Sequence, residues 1–438
     1  MESVDQPHSL GSNRDGASHR RSGAAESLIL GGALLATRIA IATGVAMLTH
    51  GREFTDDTHL HLEYAAHPLS RLLGTITNPP YPPLQGLLQA ASVGVLRPFL
   101  GDFLALRVAF SFFEAAALSI TLTTLRMLSV SASVRRGLAL VMILAPVGWM
   151  SGSIMCQEEA IGMTFVAGAI LAEVSGRRHI TLLLLSLGVV TGKVFFIFPL
   201  SVLFLLSPRL RLARRLYWAA TPLAVTYGSM AAVLLLTGRA PERFRLSVFG
   251  VNVWTFLRLQ FPLSQQFCEG GAVVAIGLAM GVIFFLARKA SDSPARGVAT
   301  LSVALCASFL LFLHTNPEYY LMVLPAAVVL FPRIGPAALL AMLLSVPWST
   351  NFVDGVANAV RLPAANGKAV FVQLYFKCVG IEPARLSPVA QCVSVLALSV
   401  VVVMLARCLR PQGGGGRMEG ADKDREEGGG GSPYGRQG

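Results

Sequence analysis

LQGLLQAASVGVLRPF, residues 84–99, decides how this chain is threaded. The segment is apolar on one face only and stands between two longer apolar runs, Ser27–Leu48 and Phe103–Leu125. If it crossed a bilayer, the loop Arg126–Arg136 and every later basic cluster would fall outside the cytoplasm. If it lies in the interface as an amphipathic helix, all of them fall inside. Those clusters are Arg20/Arg21, Arg126/Arg135/Arg136, Arg177/Arg178, Arg209/Arg211/Arg214/Arg215, Arg288/Lys289/Arg296, Arg333 and Arg407/Arg410. Such agreement among separate loops selects the interfacial reading.

Working outward from this segment, the apolar runs predict spans at 28–48, 103–125, 138–150, 157–174, 180–192 and 194–206. Six more are predicted at 216–236, 272–286, 298–313, 319–331, 336–347 and 389–406. The expectation is an all-α, polytopic transmembrane helical bundle of about twelve spans with both termini cytoplasmic. Its first external loop is long and carries interfacial helices. Several spans are short, and a re-entrant hairpin is the alternative for Ile180–Leu206. Acids were not used to set this threading. Asp56, Asp57, Glu63, Asp102, Glu158, Glu159, Glu269, Glu318, Asp354 and Glu382 nevertheless all fall on the external side.

Composition agrees with a membrane protein. Of 438 residues, 53% are hydrophobic and 14% charged, far less charge than a soluble protein of this length carries. Runs of about 20 apolar residues fit a hydrocarbon core roughly 30 Å thick and exclude a β-barrel, whose strands alternate and run to about 10 residues. The net charge of +12 comes from short basic clusters between apolar runs, the pattern of cytoplasmic loops and not of a nucleic-acid interface. The six cysteines show no zinc spacing. Cys306, Cys392 and Cys408 lie in or beside apolar runs, while Cys156, Cys268 and Cys378 fall in external loops. Residues 1–26 are polar and read as a disordered tail, followed by a signal anchor within the domain 27–410. Residues 411–438, rich in glycine and charge, read as a second disordered cytoplasmic tail.

The polar stretch before residue 84 is EFTDDTHLHLEYAAHPLSRLLGTITNPPYPPL, Glu53 to Leu84. A carboxylate can take a proton from an attacking hydroxyl or hold a divalent cation, so Asp56 and Asp57 are candidates for either role. A solvated pair capping a helix that starts near Thr58 explains them as well. His59, His61 and Glu63 could join a metal site, but HLHLE sets both imidazoles on one face only in an extended chain, and a helix is expected here. The Asn78–Leu84 run, with Tyr81 amid four prolines, can be neither helix nor central strand and forms a rigid elbow.

Three later groups share the external side. Gln157, Glu158 and Glu159 open an apolar helix, where the helix dipole favours acids by about 0.3–1 kcal/mol; they are also candidates to bind a sugar. Lys193 interrupts two apolar runs, and a cation there could hold a phosphate. His314, Glu318, Tyr319 and Tyr320 end one span and open the next. An interfacial aromatic belt accounts for the phenols but not for the histidine or the acid. Trp254 sits among Arg239, Arg243, Arg245 and Arg258, as a sugar-stacking ring among phosphate-binding cations or as an interfacial helix with snorkelling basics.

As an ordered set over residues 28–331, these motifs resemble the GT-C glycosyltransferases. The acidic pair after the first span, the Tyr-Pro-Pro-Leu elbow and the Gln-Glu-Glu helix start carry the likeness. So do Gly192-Lys-Val-Phe-Phe-Ile-Phe-Pro199 and His314…Tyr319-Tyr320-Leu…Leu324-Pro325. The flavour is that of polyprenyl-phosphate-mannose-dependent mannosyltransferases. The resemblance implies a hexosyltransferase of the cell envelope in a bacterial plasma membrane. It would move a sugar such as mannose, with inversion, from a polyprenyl-phosphate donor to the hydroxyl of a glycan or glycolipid acceptor outside the cytoplasm. Asp56 or Asp57 would be the catalytic base. Glu63, Tyr81, Gln157, Glu158, Glu159, Lys193, Trp254, His314, Glu318 and Tyr319 would bind substrate. The implied partners are the two substrates and membrane lipids, with no nucleic acid. No cofactor is required, and a divalent metal at Asp56/Asp57 is compatible with it. A lipid or polysaccharide transporter would need internal repeats and charges deep in the bundle. No repeat is evident, and Arg38 and Glu114 are the charges that lie clearly within spans. A polyprenyl-linked glycan ligase would share the external chemistry.

Overall fold

A computed structural model describes residues 13–49, 61–62, 66, 83–154, 156–191, 193–237, 248–250, 252–289, 293–315, 317–345 and 383–409. Asp56, Asp57, Glu63 and Tyr81 lie outside them, as do the Arg239–Arg245 segment, Cys378 and the 411–438 tail.

Among the described residues the fold is all-α apart from one two-residue strand pair. Helix α1 spans Asn13–Thr49 and α2 Pro83–Met127. Helix α3 (Ala132–Leu144) leads through a turn at Pro146–Gly148 into a π-helical turn, Trp149–Ile154. Helices α4 (Glu159–Val174) and α5 (Arg178–Val190) follow, then a 3₁₀ turn at Val194–Phe196, α6 (Ile197–Leu205) and α7 (Leu212–Thr237). Strand β1 (Phe249–Gly250) precedes α8 (Val253–Gln260), α9 (Gln265–Lys289) and α10 (Pro294–Leu311). Strand β2 (His314–Thr315) pairs in parallel with β1. A 3₁₀ segment (Pro317–Val323), α11 (Leu324–Ser345) and α12 (Pro383–Arg407) complete the described elements.

Five helices among the described residues are long and apolar enough to cross a membrane: Ala25–Met47, Gly86–Met127, Gln265–Lys289, Pro294–Leu311 and Glu318–Pro336. The pair Ala132–Leu144 and Pro146–Ile154, bent by 40°, makes a sixth. The chain is thus an all-α protein with five to six candidate membrane-spanning helices, and its character is that of a multi-pass membrane protein. Arg178–Val190, Val194–Leu205 and Val395–Arg407 are apolar but shorter. Helix α1 also starts at Asn13, so residues 13–26 are helical and not the irregular tail the composition suggested.

The expected boundary between residues 84–99 and the span after them is present as a break inside α2. Gly101 sits at φ 69°, ψ 172°, a conformation that only glycine adopts readily. The same device divides α11 at Gly335 (φ 73°, ψ 175°), between the two runs predicted at 319–331 and 336–347.

The core is built around α10. Every residue from Gly297 to Leu310 on it is buried, so helices surround it on all sides. Its hydroxyls are satisfied along its own backbone, Thr300 donating to Arg296 O and Ser302 to Val298 O. The charges expected within spans find each other. Arg38 Nε donates to Glu114 Oε2 at 2.8 Å, and the guanidinium also reaches Ile143 O at 2.8 Å. Both side chains are buried, and pairing is what makes such burial tolerable.

Candidate active site

The polar chemistry of the molecule converges where α4 begins. Glu158 is the residue before α4 and Glu159 its first. Consecutive side chains normally diverge by about 100° around a helix. Here one residue lies outside the helical geometry (φ −81°, ψ 5°), and both carboxylates reach a single ammonium. Lys193 Nζ lies 2.6 Å from Glu158 Oε1 and 2.7 Å from Glu159 Oε1. Glu158 Oε2 takes a further contact of 2.8 Å from His61 Nε2, and His61 Nδ1 stands 3.0 Å from Gln89 Nε2 on α2. His61 meets the edge of Phe110, with ring centroids 5.8 Å apart. All five polar residues are buried, none more than 5% exposed. Two carboxylates against one ammonium leave a single negative charge, balanced when the imidazole carries a proton. That closure of charge is what a desolvated cluster requires.

Each arm of the cluster is held by a local device. Lys193 sits at the tip of a hairpin formed by α5 and the 3₁₀ turn. That turn folds back because Gly188 leaves room for a ring: a Cβ there would lie 2.8 Å from Phe196. Glu158 is presented by the π-helical turn and by Cys156, a non-glycine residue at φ 58°. Gln157, buried beside it, donates its N–H to Ser151 O at 2.9 Å. Arg107 of α2 clamps this irregular stretch, donating to Ser153 O at 3.1 Å and Ile154 O at 3.2 Å while lying 3.6 Å from the centre of the Phe103 ring. π-turns and left-handed non-glycine residues cost energy and recur at functional sites.

The floor is aromatic. Tyr319 lies under Lys193, whose Nζ is 5.2 Å from the ring centre, and Phe195 packs against Tyr319, Phe309 and Phe312 at 5.0, 4.8 and 4.9 Å. Glu318 is buried next to it in sequence. Glu159 Oε2 is buried and has no hydrogen-bond partner among the described residues. It is a spare acceptor at the mouth of a helix.

The structure therefore gathers Glu158, Glu159, Lys193 and Tyr319, as the sequence suggested, and adds His61 and Gln89. Two expectations change. The sequence offers Lys193 as a phosphate holder, whereas in the structure its ammonium is held by two carboxylates. Trp254 was considered as a stacking platform, but its indole is buried, donates to Leu311 O at 2.6 Å and sits where a Cβ on Gly271 would come within 2.3 Å of the ring. It anchors α8 to α9 and α10. His314 is in β2, paired with Phe249. Cys156 and Cys268 are both buried. Among the described residues, no group of three His, Cys, Asp or Glu could hold a metal ion.

No protein-family model matches the chain, and no curated protein sequence matches it.

Proposed function

We propose that the protein is a GT-C-like membrane glycosyltransferase that moves a hexose from a polyprenyl-phosphate donor to a hydroxyl of a glycan or glycolipid outside the cytoplasm. The observation that carries this reading is the ion cluster joining His61, from the first loop, to Glu158 and Lys193. Asp57 is four residues from His61, a length of chain that spans at most about 14 Å. His61 thus anchors the first loop to a buried ion cluster that has a spare carboxylate oxygen on Glu159.

In this reading Asp56 or Asp57 removes the acceptor proton as the glycosidic bond forms and the sugar–phosphate bond breaks. Glu159 Oε2 accepts from a sugar hydroxyl, and an unmet buried acceptor of that kind favours the ligand that supplies a donor. Lys193 fixes both glutamates instead of touching phosphate. The twelve-span threading, with residues 84–99 in the interface and the cluster on the extracytoplasmic side, belongs to the same proposal. Holding a lipid-borne donor and an acceptor at one interface supplies the orientation that bond formation needs. The Arg38–Glu114 pair favours this over a transporter, since the two charges are held by each other and Arg38 also by backbone carbonyls.

The test is transfer from a polyprenyl-phosphate hexose by purified protein bearing Asp56→Asn or Asp57→Asn. The expected result is a loss of at least about a hundredfold in one variant, the scale of a missing general base. Full activity in both would remove the proposed base.

A further inference from the structure

We propose that the arginine-lined end of the bundle, opposite the ion cluster, binds the phosphate of an anionic membrane lipid. A cavity of about 700 Å³ opens there between the end of α4, the start of α5, the 206–210 turn, the end of α9 and the start of α10. Pockets of this size suit a small ligand or headgroup. Four arginines line it: Arg178, Arg209, Arg288 and Arg296. The acid in the lining is Glu173, which Arg178 Nε already holds at 2.6 Å. Among the described lining residues, arginines outnumber acids four to one.

Two further features narrow the ligand. The first turn of α10 opens into the cavity, with Ser293 capping the Arg296 N–H and Pro294 at the first helical position. A helix start adds partial positive charge. Leu205, Leu206 and Phe284 form an apolar wall beside the guanidiniums. A free anion needs no such wall, whereas a lipid sets its phosphate among the arginines and a chain along the leucines. Guanidinium groups suit this because they bind phosphate oxygens in pairs, and basic pockets between membrane helices are places where lipid headgroups lodge. This site is separate from the sugar-transfer proposal and stands without it.

The test uses the full chain in a neutral detergent, titrated in parallel with phosphatidylglycerol, phosphatidylcholine and inorganic phosphate while thermal unfolding is followed. Phosphatidylglycerol is expected to raise the midpoint on the order of 5 °C at a hundredfold excess over Kd. Arg209→Gln and Arg288→Gln should each weaken that binding about tenfold or more, the effect of losing a charged hydrogen bond. Arg333→Gln, outside the cavity, should leave it unchanged. An equal shift with phosphatidylcholine, a full shift with inorganic phosphate alone, or unchanged affinity in both arginine variants would overturn the proposal. If either variant is too unstable to purify, native mass spectrometry of the wild-type protein decides. Failure to retain phosphatidylglycerol in preference to phosphatidylcholine would sink the idea.

Discussion

At the scale of single residues, Lys193 is the keystone of the cluster. Replacing it by methionine leaves two carboxylates buried side by side with no ammonium, which should cost about 3–5 kcal/mol. Lys193→Met should therefore unfold at much lower temperature in detergent. The triple variant Lys193→Met/Glu158→Gln/Glu159→Gln should recover most of that loss, because amides need no counter-charge. A triple variant no more stable than the single one would show that the charges are not what holds these residues. Lys193 and the glutamates were legible in the sequence, since charge set in apolar runs is costly enough to demand a reason. His61 was not. Three histidines lie within nine residues of loop, and nothing in their spacing says which one turns inward. Gln89 left a faint trace: it falls on the buried stripe Gly86, Gln89, Val93, where a polar residue has no packing reason to be.

At the scale of elements, α2 contains two glycines with opposite meanings. Gly101 carries a positive φ at the break, so Gly101→Ala should destabilise by about 1–2 kcal/mol. Gly94 lies in regular helix with open space around its Cβ position, so Gly94→Ala should be neutral or stabilising by up to about 1 kcal/mol. Thermal midpoints of the two variants separate these effects, and equal midpoints would refute the account. The break itself was anticipated from the amphipathic character of residues 84–99, although glycine alone did not mark it. The short α5 and α6 helices fall on two runs expected as separate short spans, with a re-entrant hairpin as the alternative. At 13 and 9 residues they rise about 20 and 14 Å, which explains why Lys193 at their tip stays buried among α4 and the 317–323 segment.

At the scale of the molecule, the two polar ends are kept apart by helix length. Helix α4 has Glu158 and Glu159 at one end and Glu173 at the other, a rise of about 24 Å over 16 residues. At the far end Glu26 holds Arg135 at 2.9 Å and Arg136 at 3.3 Å, so α1 and α3 join the arginine rim. If the rims face opposite sides of a membrane, Leu60→Cys should react with an impermeant thiol reagent from outside in intact cells. Ala132→Cys should react only after permeabilisation. Labelling of the second from outside would break the topology. Charge bias made this separation readable from sequence, because loops repeat the signal many times. The number of true crossings was less readable, since apolar runs that pack inside protein look like runs that face lipid.

The encased helix α10 bears on how such a chain is made. Of the segment Pro294–Leu311, 78% is buried by protein, against 22% of Gln265–Lys289. Its threonine, serines and cysteine are comfortable among neighbouring side chains but offer little to hydrocarbon. Its residence in the bilayer is therefore a property of the assembled bundle, begun against α4, α6 and α9 and completed when α11 and α12, synthesised after it, close the remaining side. A ribosome that stalled before Leu324 would leave this segment loosely held at the very centre of the future protein.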